Sequence, residues 1–426
     1  MGLMAVLGFS SGLPLALTGF TLRMWLTSAH VKLGLIGLTA NIGLAYALKF
    51  LWAPVFDELQ PPPGLRRLGR RRGWLLPVQA LLILAIAALG LSEPARGVAG
   101  TLAIGAVLAF VSASQDILID AWRIETFPPR QQGAALACYV WGYRAALLIS
   151  GAGVIAWSAS VGWHAAVLAM AGLALAGPAA TLLAPEPEPE PEPEHEIQSG
   201  AELGRAPRGV PAGFAARFAH AVRAPLKDFL KRRGAWAIVA FIILFRLGEA
   251  LAGVMLAPYY TYLGFNRAMI AVANGPVSLA ATLAGTASGG WLVARIGTGR
   301  ALLLTGAFQT AALLMYPALG LFPHQPHMLV ATSALESFAE GFADAAFLTY
   351  LSGLCNTAFT ATQYALLSSL APLALRTLGG LSGFIAAATG FIPFFILTAF
   401  AALPAMALML LILKRYPPVP AGLSQA

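Results

Sequence analysis

Several charged residues stand inside apolar runs, at spacings that put them on shared helix faces. Asp116 and Asp120 are four apart in Ser112-Ala113-Ser114-Gln115-Asp116-Ile117-Leu118-Ile119-Asp120. Glu336, Glu340 and Asp344 repeat that spacing in Glu336-Ser337-Phe338-Ala339-Glu340-Gly341-Phe342-Ala343-Asp344. On a helix each set lines one face. Arg246 and Glu249 are three apart, and Arg144, Lys49 and Arg376 stand in or beside further apolar runs. Carboxylates in such surroundings suit reversible protonation, and guanidiniums suit charge-assisted hydrogen bonds to an anionic solute. Neither is bond-breaking chemistry. The chain shows no Walker loop, no Rossmann glycine pattern and no nucleophile elbow, so it is not expected to be an enzyme or an ATP-driven pump. His324 and His327 lack a metal spacing, Cys138 and Cys355 are far apart, and no metal or cofactor is expected.

The elements that must carry these charges follow from composition. Of 426 residues 58% are apolar and 11% charged, with a mean hydropathy of +0.74; soluble domains carry about 25% charged residues. No water-soluble core hides that much apolar sequence. A soluble enzyme, a nucleic-acid binder and a disordered chain are excluded, and the net charge of +9 reads as loop topology. A spanning helix needs about 20 apolar residues. Such runs occur near 3–26, 33–53, 74–92, 99–122, 132–157 and 162–184, then near 235–258, 268–293, 301–321, 328–350, 362–384 and 390–413. The first run is too long for a signal-peptide core and is expected to be a helix. With both chain ends inside, nineteen Lys and Arg fall on the cytoplasmic side and four, Arg23, Lys32, Arg96 and Arg267, fall outside.

The polar stretch 185–234 opens with Pro185-Glu186 repeated five times, an extended and self-repelling linker. It separates a six-helix half, 1–184, from a second, 235–426. The halves echo each other. At an offset of 224, Asp116 falls on Glu340 and Asp120 on Asp344. An all-α integral membrane chain of two parallel six-helix repeats resembles the twelve-helix major facilitator fold. That fold implies a central cavity lined by the first, fourth, seventh and tenth helices, and three of those carry the acids.

Within this frame Glu340 is the leading proton-coupling candidate, being deep and without a basic residue within a turn, and Asp116 and Glu249 are the others. Arg246 or Arg144 would clamp a solute anion; alternatively, Arg246 and Glu249 neutralise each other, and Arg144 bridges to Asp116. Asp120 and Asp344 lie toward the cytoplasmic ends, as gate residues or solvent-facing groups, while Lys49 and Arg376 would snorkel or gate. Phe56-Asp57-Glu58 followed by Arg66-Arg67-Leu68-Gly69-Arg70-Arg71-Arg72-Gly73 resembles the acid-then-basic loop of facilitator transporters. There Asp57 with Arg70, Arg71 and Arg72 would hold the inner side shut. The second copy, Arg295-Ile296-Gly297-Thr298-Gly299-Arg300, lacks the acid. Trp25 and Tyr143 would stack on sugar faces or anchor the membrane interface.

Several longer strings resemble the AmpG-type muropeptide permeases. They are Gly12-Leu13-Pro14-Leu15-Ala16-Leu17-Thr18, Lys49-Phe50-Leu51-Trp52-Ala53-Pro54, Arg70-Arg71-Arg72-Gly73-Trp74, the Gln115-Asp116 segment with Asp120-Ala121-Trp122, and Gly142-Tyr143-Arg144. Ala224-Pro225-Leu226-Lys227-Asp228-Phe229, Arg246-Leu247-Gly248-Glu249-Ala250, Cys355-Asn356 and Ala361-Thr362-Gln363-Tyr364 continue the likeness. Gln115, Tyr143, Asn356 and Gln363 thereby join Arg144, Arg246 and Trp25 as substrate-binding candidates. The resemblance implies an inner-membrane permease that imports anhydromuropeptides with protons, for peptidoglycan recycling and the β-lactamase induction signal. The implied partners are a sugar–peptide, protons and the bilayer, with a monomer expected. Some members carry a longer C-terminus, and Lys and Asp are also familiar where Arg246 and Glu249 stand. Transport or export of another amphipathic solute (a siderophore, drug or acyl-CoA-like cargo) is the alternative, and a non-transporting sensor is a third.

Overall fold

The structure, a computed structural model, describes residues 1–187, 234–354, 372, 373 and 375–415. Among the described residues the regular structure is entirely helical. Helices apolar all round satisfy their own backbone groups, which hydrocarbon requires. Nine described helices are long and apolar enough to cross a membrane. They are α1 (Gly2–Ser28), α3 (Arg70–Leu91), α4 (Val98–Thr126), α5 (129–161), α6 (Trp163–Leu183), α7 (Ala235–Tyr262), α8 (Arg267–Ile296), α9 (Thr298–Leu319) and α12 (391–415). To these are added α2, 33–58, broken into short α and 3₁₀ turns, and α10 (Pro326–Gly353), equally long but bearing three acids. The described part of α11 is 375–389. The expected runs are thus present to within a few residues, α4 continuing to Thr126 instead of 122; the start of the expected 362–384 run lies outside the described residues.

The repeat is sharper in the structure than in the sequence. α3 and α9 start at 70 and 298, α4 and α10 at 98 and 326, α6 and α12 at 163 and 391, each pair 228 apart. The turns before them agree. Gly69 and Gly297 have φ of +92° and +79°, Gly162 and Gly390 +82° and +83°, a conformation that glycine adopts without strain. Register 228 matches Asp116 with Asp344 and Ser112 with Glu340, one helical turn away from the expected offset of 224. Acids four apart on one face look alike after a slip of four, so sequence could not fix the turn.

Small residues set the helix spacing. Gly142 on α5 faces the Ala5 carbonyl of α1 so closely that a side chain there would collide with it, as membrane helix pairs often require. Contacts between the halves cluster at one end of the spans. The second part of α1 meets α7, the start of α2 meets the end of α11, and the end of α5 meets the start of α8. Arg267 fastens this end, donating to the Ser158 carbonyl at 2.9 Å and lying 4.7 Å over the Trp163 ring. With consecutive spans antiparallel, these contacts lie opposite the chain ends. At the other end the second half keeps its own core of Phe241, Phe245, Leu302, Phe347 and Met409, apart from the cluster shared by both halves. Among the described residues the space between the halves is therefore less closed toward the face where α1 begins and α12 stops.

Candidate functional site

Breaks in the lining helices place the charges. α1 is interrupted at Gly19, α7 at Arg246, and α2 passes through a 3₁₀ segment at Thr39–Gly43. Helices broken near mid-membrane build the binding sites of transporters. Arg246 sits at the carbonyl end of one α7 segment and Glu249 in the first turn of the next, the placement that helix dipoles favour for a cation and an anion. The cavity has two lobes. One, of about 600 Å³, is lined by Thr18, Arg23, Tyr46, Arg246, Glu249, Glu340 and Arg376. The other, of about 370 Å³, is lined by Arg144, Asn274, Ser278, Glu336 and Ser337 and shares Glu249, Gly253 and Glu340 with the first. Between them Arg23 reaches from α1 to the Gly253 carbonyl of α7 at 3.4 Å.

Arg246 stands in a cage of three carboxylates. It pairs with Glu249 at 2.6 Å, with Glu340 at 4.0 Å and directly with Asp344. Glu249 also accepts from Gln309 at 2.9 Å. The expectation of an unpaired Glu340 is therefore corrected: its cation comes from α7, three spans away in sequence. Asp344 likewise faces Arg246 instead of bulk solvent. The two readings of Arg246 are also resolved in part, because a guanidinium already held by three acids is not a free clamp.

Asp116 lies elsewhere. It is 8% exposed, inside the first half, accepting from Ser11 of α1, whose hydroxyl also meets Tyr139 at 2.8 Å. Asp116 thus contacts α1 as Asp344 contacts α7, although at the 228 register the position matching Arg246 is Thr18, about two turns beyond Ser11. Of the two readings of Arg144, the bridge to Asp116 is not formed among the described residues; the charge of Lys49 reaches Asp116, and no ion pair joins them among the described residues. Arg144 is exposed in the second lobe, with Glu336 and Glu340. Gln115 is fully buried and accepts from Ser10. Trp25, read as either a sugar-stacking or a membrane-interface aromatic, is buried against Trp163, with ring centroids 6.1 Å apart, and lines neither lobe. Tyr143 is half-buried beside the Tyr139 ring. Asn356 and Gln363 lie outside the described residues, as does the Asp57 side chain.

The basic loop closes on its own half. Arg71 pairs with Glu125 of α4, the N–H groups of Arg71 and Arg72 donate to Glu186 at 2.7 and 3.0 Å, and Arg72 reaches the last carbonyls of α6 at Thr181 and Leu182. Asp120 pairs with Arg123 on its own helix at 3.5 Å, and Arg70 is exposed. These contacts of the basic loop join α3, α4 and α6 within the first half. Two functional positions were missed. Arg23, counted as an outer-loop charge because it stands near the end of the first span, lies within α1 and lines the cavity. Glu336 was seen only as a neighbour of Glu340, yet it lines the second lobe beside the buried tyrosines Tyr260 and Tyr316, whose hydroxyls have no hydrogen-bond partner among the described residues.

Comparison with known proteins agrees with this geometry. The Major Facilitator Superfamily profile matches residues 4–324. The chain is 38% identical over 411 residues to the anhydromuropeptide permease of Escherichia coli K12, covering 96% of this chain and 78% of that protein. It is 31% identical to the putative transporter AmpG 4 of Rickettsia felis, covering 96% and 95%. A crystal structure of the nucleoside transporter NupG superposes with a TM-score of 0.69 at 11% identity, over 96% of this chain and 98% of that one, a likeness of fold alone.

Proposed function

The chain belongs to the Major Facilitator Superfamily, and from that premise we propose that it is a proton-driven permease importing anhydromuropeptides into the cytoplasm. It is a multi-pass membrane transporter and not an enzyme. The observation that carries the substrate is the 38% identity, sustained over 96% of the chain, to the Escherichia coli anhydromuropeptide permease. The geometry supports the transport half of the reading. A charged, two-lobed cavity at the repeat interface is where such folds hold solute and coupling ion. In a cell, that import serves peptidoglycan recycling and supplies the β-lactamase induction signal.

Mechanistically, the space between the halves is less closed toward the face where α1 begins, which the Lys and Arg bias assigns to the cytoplasm; moving Arg23 into α1 strengthens that bias. This is the state that releases cargo. The cage holds one cation against Glu249, Glu340 and Asp344. Glu340 faces both lobes and is the most distant of the three from Arg246. It is the carboxylate whose protonation least disturbs the cage, and so the coupling group we assign. Asp116 and Glu249, each held by closer partners, rank behind it. Arg144, exposed in the second lobe, is offered as a contact for the cargo. The linker 185–234 and both termini are assigned to the cytoplasm, and the transporter is assigned as a monomer. Spheroplasts expressing the chain should accumulate labelled GlcNAc–anhydro-muramyl tripeptide, with excess unlabelled muropeptide but not xylose or nucleoside competing. Equal competition by all three would refute the substrate assignment.

A further inference from the structure

Two arginines of the larger lobe are not absorbed by the carboxylate cage. Arg23 on α1 and Arg376 on α11 both line it, and among the described residues neither makes an ion pair. Arg23 spends two donors on backbone carbonyls, Gly19 at 3.3 Å on its own helix and Gly253 at 3.4 Å on α7. Arg376 lays its guanidinium against Gly43 of α2, in the space a Cβ would take. The arrangement is reciprocal: the first half's arginine reaches a glycine of the second half, and the second half's arginine reaches a glycine of the first. A glycine at 43 is what lets the Arg376 side chain lie flat there. Their charges repel one another there, while every acid lining this lobe, Glu249 and Glu340, is engaged with Arg246. The lobe is therefore bipolar, acidic on α7 and α10 and basic on α1 and α11. A basic wall in a partly desolvated cavity, without an anion of its own, is stabilised by an anion brought in. The planar forks suit a two-oxygen group, accepting hydrogen bonds from both.

We propose that Arg23 and Arg376 form a subsite for the carboxylate of the cargo, gripped between the two halves. This rests on the sugar–peptide reading for the cargo's identity but not for the chemistry of the subsite. Because each guanidinium spans the interface, cargo held by both links α1 and α2 to α7 and α11. Selection then falls on solutes with a free carboxylate, and neutral analogues of the same size bind weakly.

The test is equilibrium binding to the purified full chain in lipid nanodiscs, with two probe pairs. One pair is GlcNAc–anhydro-muramyl tripeptide and its fully amidated form; the other is a plain acidic tripeptide and its amide. The unmodified protein should bind the acid form of the muropeptide about ten- to a hundredfold more tightly than the amide, the range for one lost charge-assisted contact. Arg23→Gln and Arg376→Gln should each bring that ratio close to one mainly by weakening the acid form. Arg376→Lys should keep most of the preference, which separates charge from folding. An unchanged ratio in both Gln variants, or no preference in the unmodified protein, overturns the subsite while leaving the muropeptide reading standing if both forms still bind. If instead neither muropeptide binds but the plain acidic peptide shows an Arg376-dependent preference, the cargo reading fails and the subsite stands.

Discussion

Replacing Arg246 by Gln removes the one cation among three carboxylates. The side chain lies 2.6 Å from Glu249, in direct contact with Asp344 and 4.0 Å from Glu340, and the four side chains are only 18 to 36% exposed. Two unit charges 4 Å apart attract by about 4 kcal/mol at an effective dielectric of 20. Breaking a buried pair by deleting one partner costs about 3–5 kcal/mol, because the other charge is left uncompensated. The cavity wets this cage, so the lower end, about 3 kcal/mol, is expected for Arg246→Gln. Gln309 still donates to Glu249 in the variant and restrains only that carboxylate. Unfolding of the detergent-purified protein measures the loss. The double variant Arg246→Gln with Asp344→Asn removes a stranded charge and should recover part of it, with a coupling of about 0.5–3 kcal/mol. Wild-type stability in Arg246→Gln, together with a raised half-saturation for uptake, would refute the cage and return Arg246 to the role of substrate clamp. Strict additivity in the double variant would refute the Asp344 contact.

Glu340→Gln should abolish uphill accumulation but keep exchange of substrate across the membrane, because Gln imitates the protonated acid permanently; accumulation that persists in a counterflow-controlled assay would move coupling to Glu249 or Asp116. Asp116→Asn retains the acceptor for Ser11 and lines neither lobe, so accumulation under a given gradient should match the unmodified protein, and a selective loss of accumulation would contradict that placement. Arg267→Gln removes the bond to the Ser158 carbonyl and the contact with Trp163, together about 2–4 kcal/mol. Spin labels at Ser160 and Ala268 should then populate longer separations, and an unaltered distance distribution would show that Arg267 does not hold that end shut.

The fold was largely legible because hydrophobic length is a direct physical requirement of the bilayer. The spans follow it closely even where α2 splits into short turns. The helix register was legible only modulo one turn. Asp116, Asp120, Glu340 and Asp344 repeat every four residues, and only the turn glycines at 69, 162, 297 and 390 fix the offset at 228. Which charges share a site was less legible, since sequence neighbours say nothing about α7 meeting α10. Glu340 therefore looked unpaired, and Arg246 looked available. Arg23 escaped because the positive-inside count treats a charge near a helix end as a loop charge, whereas α1 continues past the Gly19 break to Ser28. Trp25 was legible only as an aromatic near a span end, which can face lipid, cargo or the protein interior, and its stacking on Trp163 puts it in the interior.

Accumulation of labelled anhydromuropeptide in proteoliposomes, with an imposed proton gradient of one pH unit, tests coupled import most directly. One proton per substrate corresponds to about tenfold accumulation per pH unit, since each unit is worth about 1.4 kcal/mol. Accumulation above the external concentration is expected when the side opposite the start of α1 is acidic, with collapse on adding a protonophore. Uptake that only equilibrates, with or without the gradient, would contradict it.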